Sequence, residues 1–357
     1  MAAPLAIVAL RSHRAGENGQ IEALGAALSQ HLGAPLETLT PRWRLPRANL
    51  LSLMYQVSGR GAAPLALPSA KRHLIISAAL RNEALARALA QQSPMGMTVF
   101  LGRTWASPDA FSLTVTTPQY RRPAHPKVLE NPLTLHGLTK SALDAAREVE
   151  DTFSLGEGEA EAGEALGVLI GGPSGPYSLG PKSARRLLAE AQALAGDRAL
   201  WVTTSPRTPA AAVERLAAHP WRPQDRFLPW GSGPNPYRAI LARAGALMVT
   251  GDSIAMLSEA LGTGKAVRVF DLGDMAQRGS GRPRDRTVQS LAYSALFRLG
   301  PQRLSRDLRC VFEGLRDRPQ FAFSPTPIPP EAWGPGAPAA PQLEATLARI
   351  TALLEGA

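Results

Sequence analysis

Residues 250–270 read TGDSIAMLSEALGTGKAVRVF, and this stretch decides the fold. The apolar run just before it, Ala246 to Val249, reads as a buried strand. Asp252 or Ser253 caps the helix that follows, and after Gly262 and Gly264 a second strand runs from Ala266 to Phe270. The first amides of such a helix have no partner within it and attract a phosphate. Ser253 opens the helix; Ser258 and Glu259 lie further along it. A carboxylate at 259 is placed to accept hydrogen bonds from ribose hydroxyls while the helix start holds a diphosphate. In outline this is a nucleotide-sugar site.

Working outward, short apolar runs alternate with alanine- and leucine-rich helical stretches, the pattern of βα units around a parallel sheet. Strands are expected at Leu5–Leu10, Leu74–Ser77, Thr98–Leu101 and Ser112–Thr116, and again at Gly167–Ile170, Leu200–Thr203, Ala246–Val249 and Ala266–Phe270. A length of 357 residues suits two domains. The expected division is a first domain over 1–150, an acidic, glycine-containing linker over 151–164 and a second domain over 165–325. A proline-rich segment with a C-terminal helix, 326–357, is expected to pack back on the first domain. That helix carries its stripe at Leu343, Leu347, Ile350 and Leu354. Two tandem βα domains place a ligand between them, at the carboxyl ends of the strands. The expected fold class is therefore α/β, two Rossmann-like βαβ domains with parallel sheets facing a cleft.

Composition narrows the function. A hydrophobic fraction of 45% is that of a folded globular chain. No apolar stretch is long enough to span a bilayer. MAAPLAIVALRSHR lacks basic residues ahead of its apolar run and reads as a first strand rather than a signal peptide. The single Cys310 excludes an internal disulfide and a cysteine zinc cluster, and the expected setting is a reducing cytoplasm. The net charge of +10 fits a phosphorylated substrate or an anionic membrane. Nucleic acid is not expected, because there is no recognised motif and few aromatics to stack bases. Walker, dinucleotide, zinc-protease and nucleophile-elbow motifs are all missing from the sequence. No spacing supports a metal site.

Each candidate motif follows a strand. Gly171, Gly172 and Ser174 in IGGPSG allow amides to approach an anion, or form an ordinary tight turn. Thr204 and Ser205 precede Arg207, whose planar fork suits phosphate; a capping cluster with an exposed arginine is the alternative. Asn235 and Tyr237 flank Pro236 at a helix start, where capping alone explains them and a place near the nucleoside is the other possibility. In the first half, RSHRAGENGQ offers Glu17 and His13 as general bases for an acceptor hydroxyl. Glu17 equally reads as a helix-start carboxylate, and His13 as a solvent-exposed loop residue. Thr40 to Met54 mixes arginines with Trp43 and leucines, suited to an anionic membrane or a lipid-linked acceptor, or to packing on its own domain.

The order GENGQIEALGAAL, WVTTSPRTP, NPYRAIL, MVTGDSIAMLSEALGTGKAVRVF resembles the mitochondrial-fission Elm-type family, over most of the chain. Many bacterial members are described as glycosyltransferases. The resemblance implies the two-domain GT-B architecture and, without a metal or other cofactor, a nucleoside-diphosphate-sugar donor of UDP type. Asp252-Ser253 through Glu259-Ala260 is also similar to a segment of UDP-GlcNAc 2-epimerases, and the Ser-to-Glu spacing to that of MurG. In those proteins the serine lies near the diphosphate and the acid binds ribose. They carry glycines after the serine, where this chain has Ile254 and Ala255. Family members also show a P-E-H-D loop where this chain reads Pro118-Gln119-Tyr120-Arg121.

The expected function is thus sugar transfer to an acceptor saccharide or lipid-linked substrate, with peripheral contact to an anionic membrane's inner face. A non-hydrolysing nucleotide-sugar epimerase of the same architecture and a non-catalytic fission adaptor are the alternatives.

Overall fold

The structure is a computed structural model that describes residues 4–43, 62–148, 165–273, 275–276, 285–299 and 306–356. The chain divides into two compact units, Met1–Gly137 with Ala340–Ala357, and Leu138–Ala339. The first boundary thus falls before the helix that the sequence assigned to residues 1–150, and the proline-rich stretch up to 339 belongs to the second unit. The expected linker lies outside the described residues, as does most of the arginine- and leucine-rich stretch beyond Trp43.

In the first unit the elements are β1 (Leu5–Leu10), α1 (Ala15–Leu32), β2 (Leu36–Leu39), β3 (Arg72–Ala78), α2 (Glu83–Gln91), β4 (Met95–Leu101), β5 (Leu113–Thr116) and β6 (Val128–Glu130). They form one parallel sheet in the order β2-β1-β3-β4-β5-β6. The chain runs from β1 to β2 on one side and then crosses to β3 on the other, so the strand order reverses between β1 and β3.

The second unit contains α3 (Lys140–Glu148), β7 (Leu166–Ile170), α4 (Pro181–Ala195), β8 (Leu200–Thr204), α5 (Ala210–Ala217), β9 (Arg226–Leu228), α6 (Tyr237–Arg243), β10 (Ala246–Thr250), α7 (Ile254–Gly262), β11 (Ala266–Phe270), α8 (Val288–Leu299), α9 (Arg309–Glu313) and β12 (Phe321–Phe323). Its parallel sheet has the order β12-β11-β10-β7-β8-β9. Renumbered from β7 this is 3-2-1-4-5-6, the doubly wound order of a Rossmann domain. The reversal lies between β7 and β10, which pair from Ala246 opposite Leu166 to Val249 opposite Leu169.

Every residue of β7, β8, β10 and β11 is buried, as helices on both faces of a parallel sheet require. The four short strands β2, β6, β9 and β12 have only three or four residues each, too few to show a period in sequence. The last helix, α10 (Pro341–Glu355), returns to the first unit, where Ile350 and Leu354 join a core with Ile7, Leu24, Leu74 and Val99. Its most buried face is Gln342, Thr346 and Ile350 with Leu354; Leu343 and Leu347 are only partly covered. Thr346 accepts a hydrogen bond from Asn131 Nδ2 at 3.0 Å and donates to the Gln342 carbonyl at 2.7 Å, so a polar residue replaces the expected apolar one at the contact.

Candidate functional site

The switch point of the second sheet is organised around Asp252, two residues beyond β10. Its carboxylate has no solvent exposure. It accepts from the Gly172 amide at 2.9 Å, from Thr250 Oγ1 at 2.6 Å and from Arg207 Nη2 at 3.3 Å. Thr250 Oγ1 in turn accepts from the Gly171 amide at 2.8 Å. Arg306 Nη2 donates to the Asp252 carbonyl at 3.0 Å. The loops after β7, β8 and β10 are thereby tied at one point. Burial pushes the Asp252 carboxyl above the usual range, and Arg207, Thr250, the Gly172 amide and Arg306 pull it back.

This arrangement corrects the expected role of the two glycines. Their amides do not stand open to an anion, because Thr250 and Asp252 already take them. The reason for glycine is close packing. A Cβ on Gly172 would sit 2.3 Å from the Arg207 carbonyl oxygen, and one on Gly171 2.3 Å from Asp252 Oδ2. Thr208 Oγ1 donates to the Gly171 carbonyl at 2.6 Å and fastens the loop after β8 to the loop after β7.

The other expected residues fall into place around this knot. Ser253, not Asp252, caps α7, its Oγ accepting from the Met256 amide at 3.4 Å. Arg207 keeps half of its side chain exposed beside this helix start. Thr204 accepts the Trp230 amide at 2.8 Å, and Ser205 Oγ accepts the Arg207 amide at 3.3 Å. Both hydroxyls hold loop backbone. Ser174 is buried and bridges to Tyr177 through main-chain bonds in both directions. Ser258 is fully buried and donates to the Ile254 carbonyl at 2.7 Å, so it faces the interior of α7 and not a ligand. Asn235 Oδ1 accepts the Tyr237 amide at 3.1 Å; α6 starts one residue later than expected, with Pro236 as its cap.

Tyr237 and Glu259 meet across α6 and α7, the phenol donating to Glu259 Oε2. Burial raises the Glu259 carboxyl, offset by this bond and by Arg238. Burial, together with the neighbouring carboxylate, raises the Tyr237 phenol well above its usual value, so the phenol stays protonated as donor.

In the first unit, the loop after β1 carries the expected bases. Glu17, in the first turn of α1, accepts from Ser12 Oγ and from Arg14 Nη1 at 3.4 Å. His13 is exposed. Asn82 Nδ2, from the loop after β3, donates to the Arg11 carbonyl at 2.9 Å and joins the two loops of this switch point. Ala79 between them has φ 71°, a left-handed value that costs energy for any residue with a Cβ. Gln119 is buried, its Nε2 donating to Thr117 Oγ1 at 2.9 Å.

Several participants escaped the sequence. Thr250 and Arg306 complete the Asp252 knot. In the first unit Glu83 is a buried carboxylate that accepts the Trp105 amide at 3.0 Å, its pKa raised by burial. A carboxylate at a helix start looks like a dipole-favoured surface residue in sequence, so Glu83 gave nothing to find it by. Among the described residues no cluster of three potential metal ligands exists.

The second unit is thus a doubly wound domain with an arginine, a capped helix start and a buried carboxylate at its switch point, the place where such sheets commonly take ligands. Residues 15–306 match the family described as Mitochondrial fission ELM1, and the chain belongs to that family. No curated protein matches it in sequence. Similar solved structures include one designated a UDP-N-acetylglucosamine 2-epimerase from Listeria monocytogenes, 12% identical over 99% of this chain and 98% of that one, TM-score 0.49. Another is Acinetobacter baumannii MurG, 10% identical over 98% and 99%, TM-score 0.41. A third is the Neisseria meningitidis UDP-GlcNAc 2-epimerase bound to UDP-GlcNAc, 10% identical over 87% and 90%, TM-score 0.46.

Proposed function

We propose that this chain is a glycosyltransferase that takes a nucleoside-diphosphate sugar of UDP type and passes the sugar to an acceptor saccharide or lipid-linked substrate. The observation that supports this most is the Asp252 knot, which holds Arg207 half-exposed beside the start of α7. A diphosphate arriving there meets the guanidinium and the positive end of a capped helix. Arg207 is shared with a buried aspartate, so it is already oriented before the ligand comes. Glu259, steadied by Tyr237, accepts the ribose hydroxyls. In the transfer step the bond from the anomeric carbon to the phosphate oxygen breaks, the acceptor oxygen forms its bond to that carbon, and the acceptor proton passes to Glu17 or His13. The departing diphosphate is neutralised by Arg207 and the helix dipole. No step calls for a metal or a cofactor. The setting proposed is the cytoplasm, with the inner face of its membrane within reach of the acceptor.

Calorimetry with UDP, GDP, ADP and CMP conjugates tests the proposal. Binding is expected for a uridine diphosphate, falling about tenfold or more in Arg207→Ala and in Glu259→Ala. Absence of binding by every nucleotide sinks it. Turnover of the donor with no acceptor present would instead indicate epimerisation.

A further inference from the structure

Two guanidinium groups converge on Asp252, and only one of them meets a charge there. Arg207 Nη2 lies 3.3 Å from the fully buried Asp252 carboxylate. The contacts that reach this carboxylate come from donors, namely the Gly172 amide, the Thr250 hydroxyl and Arg207, so it is held as an acceptor and ionised. The positive charge of Arg207 is therefore matched within the knot before any ligand arrives.

Arg306 stands differently. Its Nη2 donates to the Asp252 main-chain carbonyl at 3.0 Å, a neutral acceptor one residue before Ser253, the cap of α7. Among the described residues no acid pairs with it. The acid next to it in the chain, Asp307, is taken by Arg309, whose Nε and Nη2 lie 2.8 and 2.7 Å from its two oxygens. Asp271, at the end of β11, accepts the amides of Gly273, Met275 and Ala276 at 2.6, 3.1 and 3.1 Å. Glu259 is bonded to the Tyr237 phenol. Arg306 is partly exposed, and a guanidinium has five donors, of which the carbonyl takes one. Both arginines pull the Asp252 carboxyl down against its burial, which sets both charges close to the start of α7.

Charge then separates their roles. A diphosphate ester is a dianion, and the diphosphate gains a further negative charge when its bond to the sugar breaks. Asp252 and Arg207 together sum to zero, and a helix start adds only about half a positive charge. The unmatched cation beside that start is Arg306.

We propose that Arg306 is a second phosphate-binding residue of this site, its guanidinium supplying the positive charge that Asp252 cancels in Arg207. The assignment rests on the nucleotide-sugar reading and adds a residue to it. Arg207 is the pre-oriented contact and Arg306 the attracting one, the first from the loop after β8 and the second from beyond α8.

The test is calorimetry of the full chain with inorganic pyrophosphate and with uridine diphosphate, at low and at raised salt. In Arg306→Ala both affinities are expected to fall about tenfold or more and to lose part of their salt dependence. Arg306→Lys, which keeps the charge, is expected to retain most of the binding. Melting of Arg306→Ala close to the parent's is expected, because the side chain is partly exposed and its bond goes to a carbonyl. Should the alanine variant melt early, the lysine variant decides: a loss as large as that of alanine overturns the proposal. Unchanged pyrophosphate affinity in Arg306→Ala, or no pyrophosphate binding by the parent, overturns it as well. Pyrophosphate binding that depends on Arg306, with no nucleotide bound, upholds this assignment and removes the nucleotide-sugar reading; uridine diphosphate bound equally well without Arg306 does the reverse.

Discussion

Asp252 serves two purposes that substitution separates. Removing it by Asp252→Ala leaves the Gly172 amide and the Thr250 hydroxyl buried without their acceptor. The expected cost is about 2–3 kcal/mol in urea denaturation. Arg207→Ala leaves half-exposed surface behind and is expected to cost under about 1 kcal/mol, while lowering nucleotide affinity. Equal destabilisation by the two would show that the arginine is structural. Lys265 gives a pH dependence. Its ammonium is buried and donates to the carbonyls of Leu241, Ala242 and Ala244, the last turn of α6. Burial first, then the nearby Arg147, lowers its pKa from 10.5 to about 7. The unfolded chain therefore holds the proton over a window where the folded chain has released it, and the Lys265 contribution strengthens as pH rises from about 7 towards 10.5. Lys265→Met is expected to flatten that part of the stability profile, measured by denaturation at pH steps across it. A profile unchanged by the substitution would exclude this account.

Among the elements, the start of the loop between β7 and α4 depends on Gly171 and Gly172 for contact, not for turning. Gly172 takes an unremarkable φ, yet an added Cβ would meet the Arg207 main chain. Gly172→Ala is expected to destabilise the second unit by about 1–3 kcal/mol, since backbone cannot yield as a flexible side chain does. Gly19→Ala, inside α1 with nothing near its Cβ position, should stabilise by about 0.5–1 kcal/mol. Thermal melting of the pair measures both; a Gly172→Ala protein as stable as the parent would mean that the loops are not held together as described. The central strands were legible because a fully buried strand is a run of apolar residues in any context. The edge strands were not, since β9 and β12 are three residues long and owe their extension to pairing with β8 and β11.

At the scale of the molecule the first unit is discontinuous, closed by α10 from the far end of the chain. Ile350 is fully buried in its core, and Ile350→Ala is expected to cost about 2–5 kcal/mol. Deleting the chain from residue 340 onward is expected to expose that core, with dye binding or aggregation as the readout and an undisturbed melt as the contrary result.

Local pattern in the sequence determined the α/β class, the central strands, the Ser253 cap and the positions of the loop that carries Arg207 and the helix that carries Glu259. Periodicity and capping are written within a few residues and need no distant partner. Which donors and acceptors meet was decided only by the tertiary structure. Gly171 and Thr250 lie 79 positions apart in the chain and join at 2.8 Å because β7 and β10 are neighbours. Strand order brings Asp252 under Gly172 and Arg207, turns the glycine amides inward and leaves the guanidinium facing solvent, and a run of residues carries no record of its neighbours across a sheet.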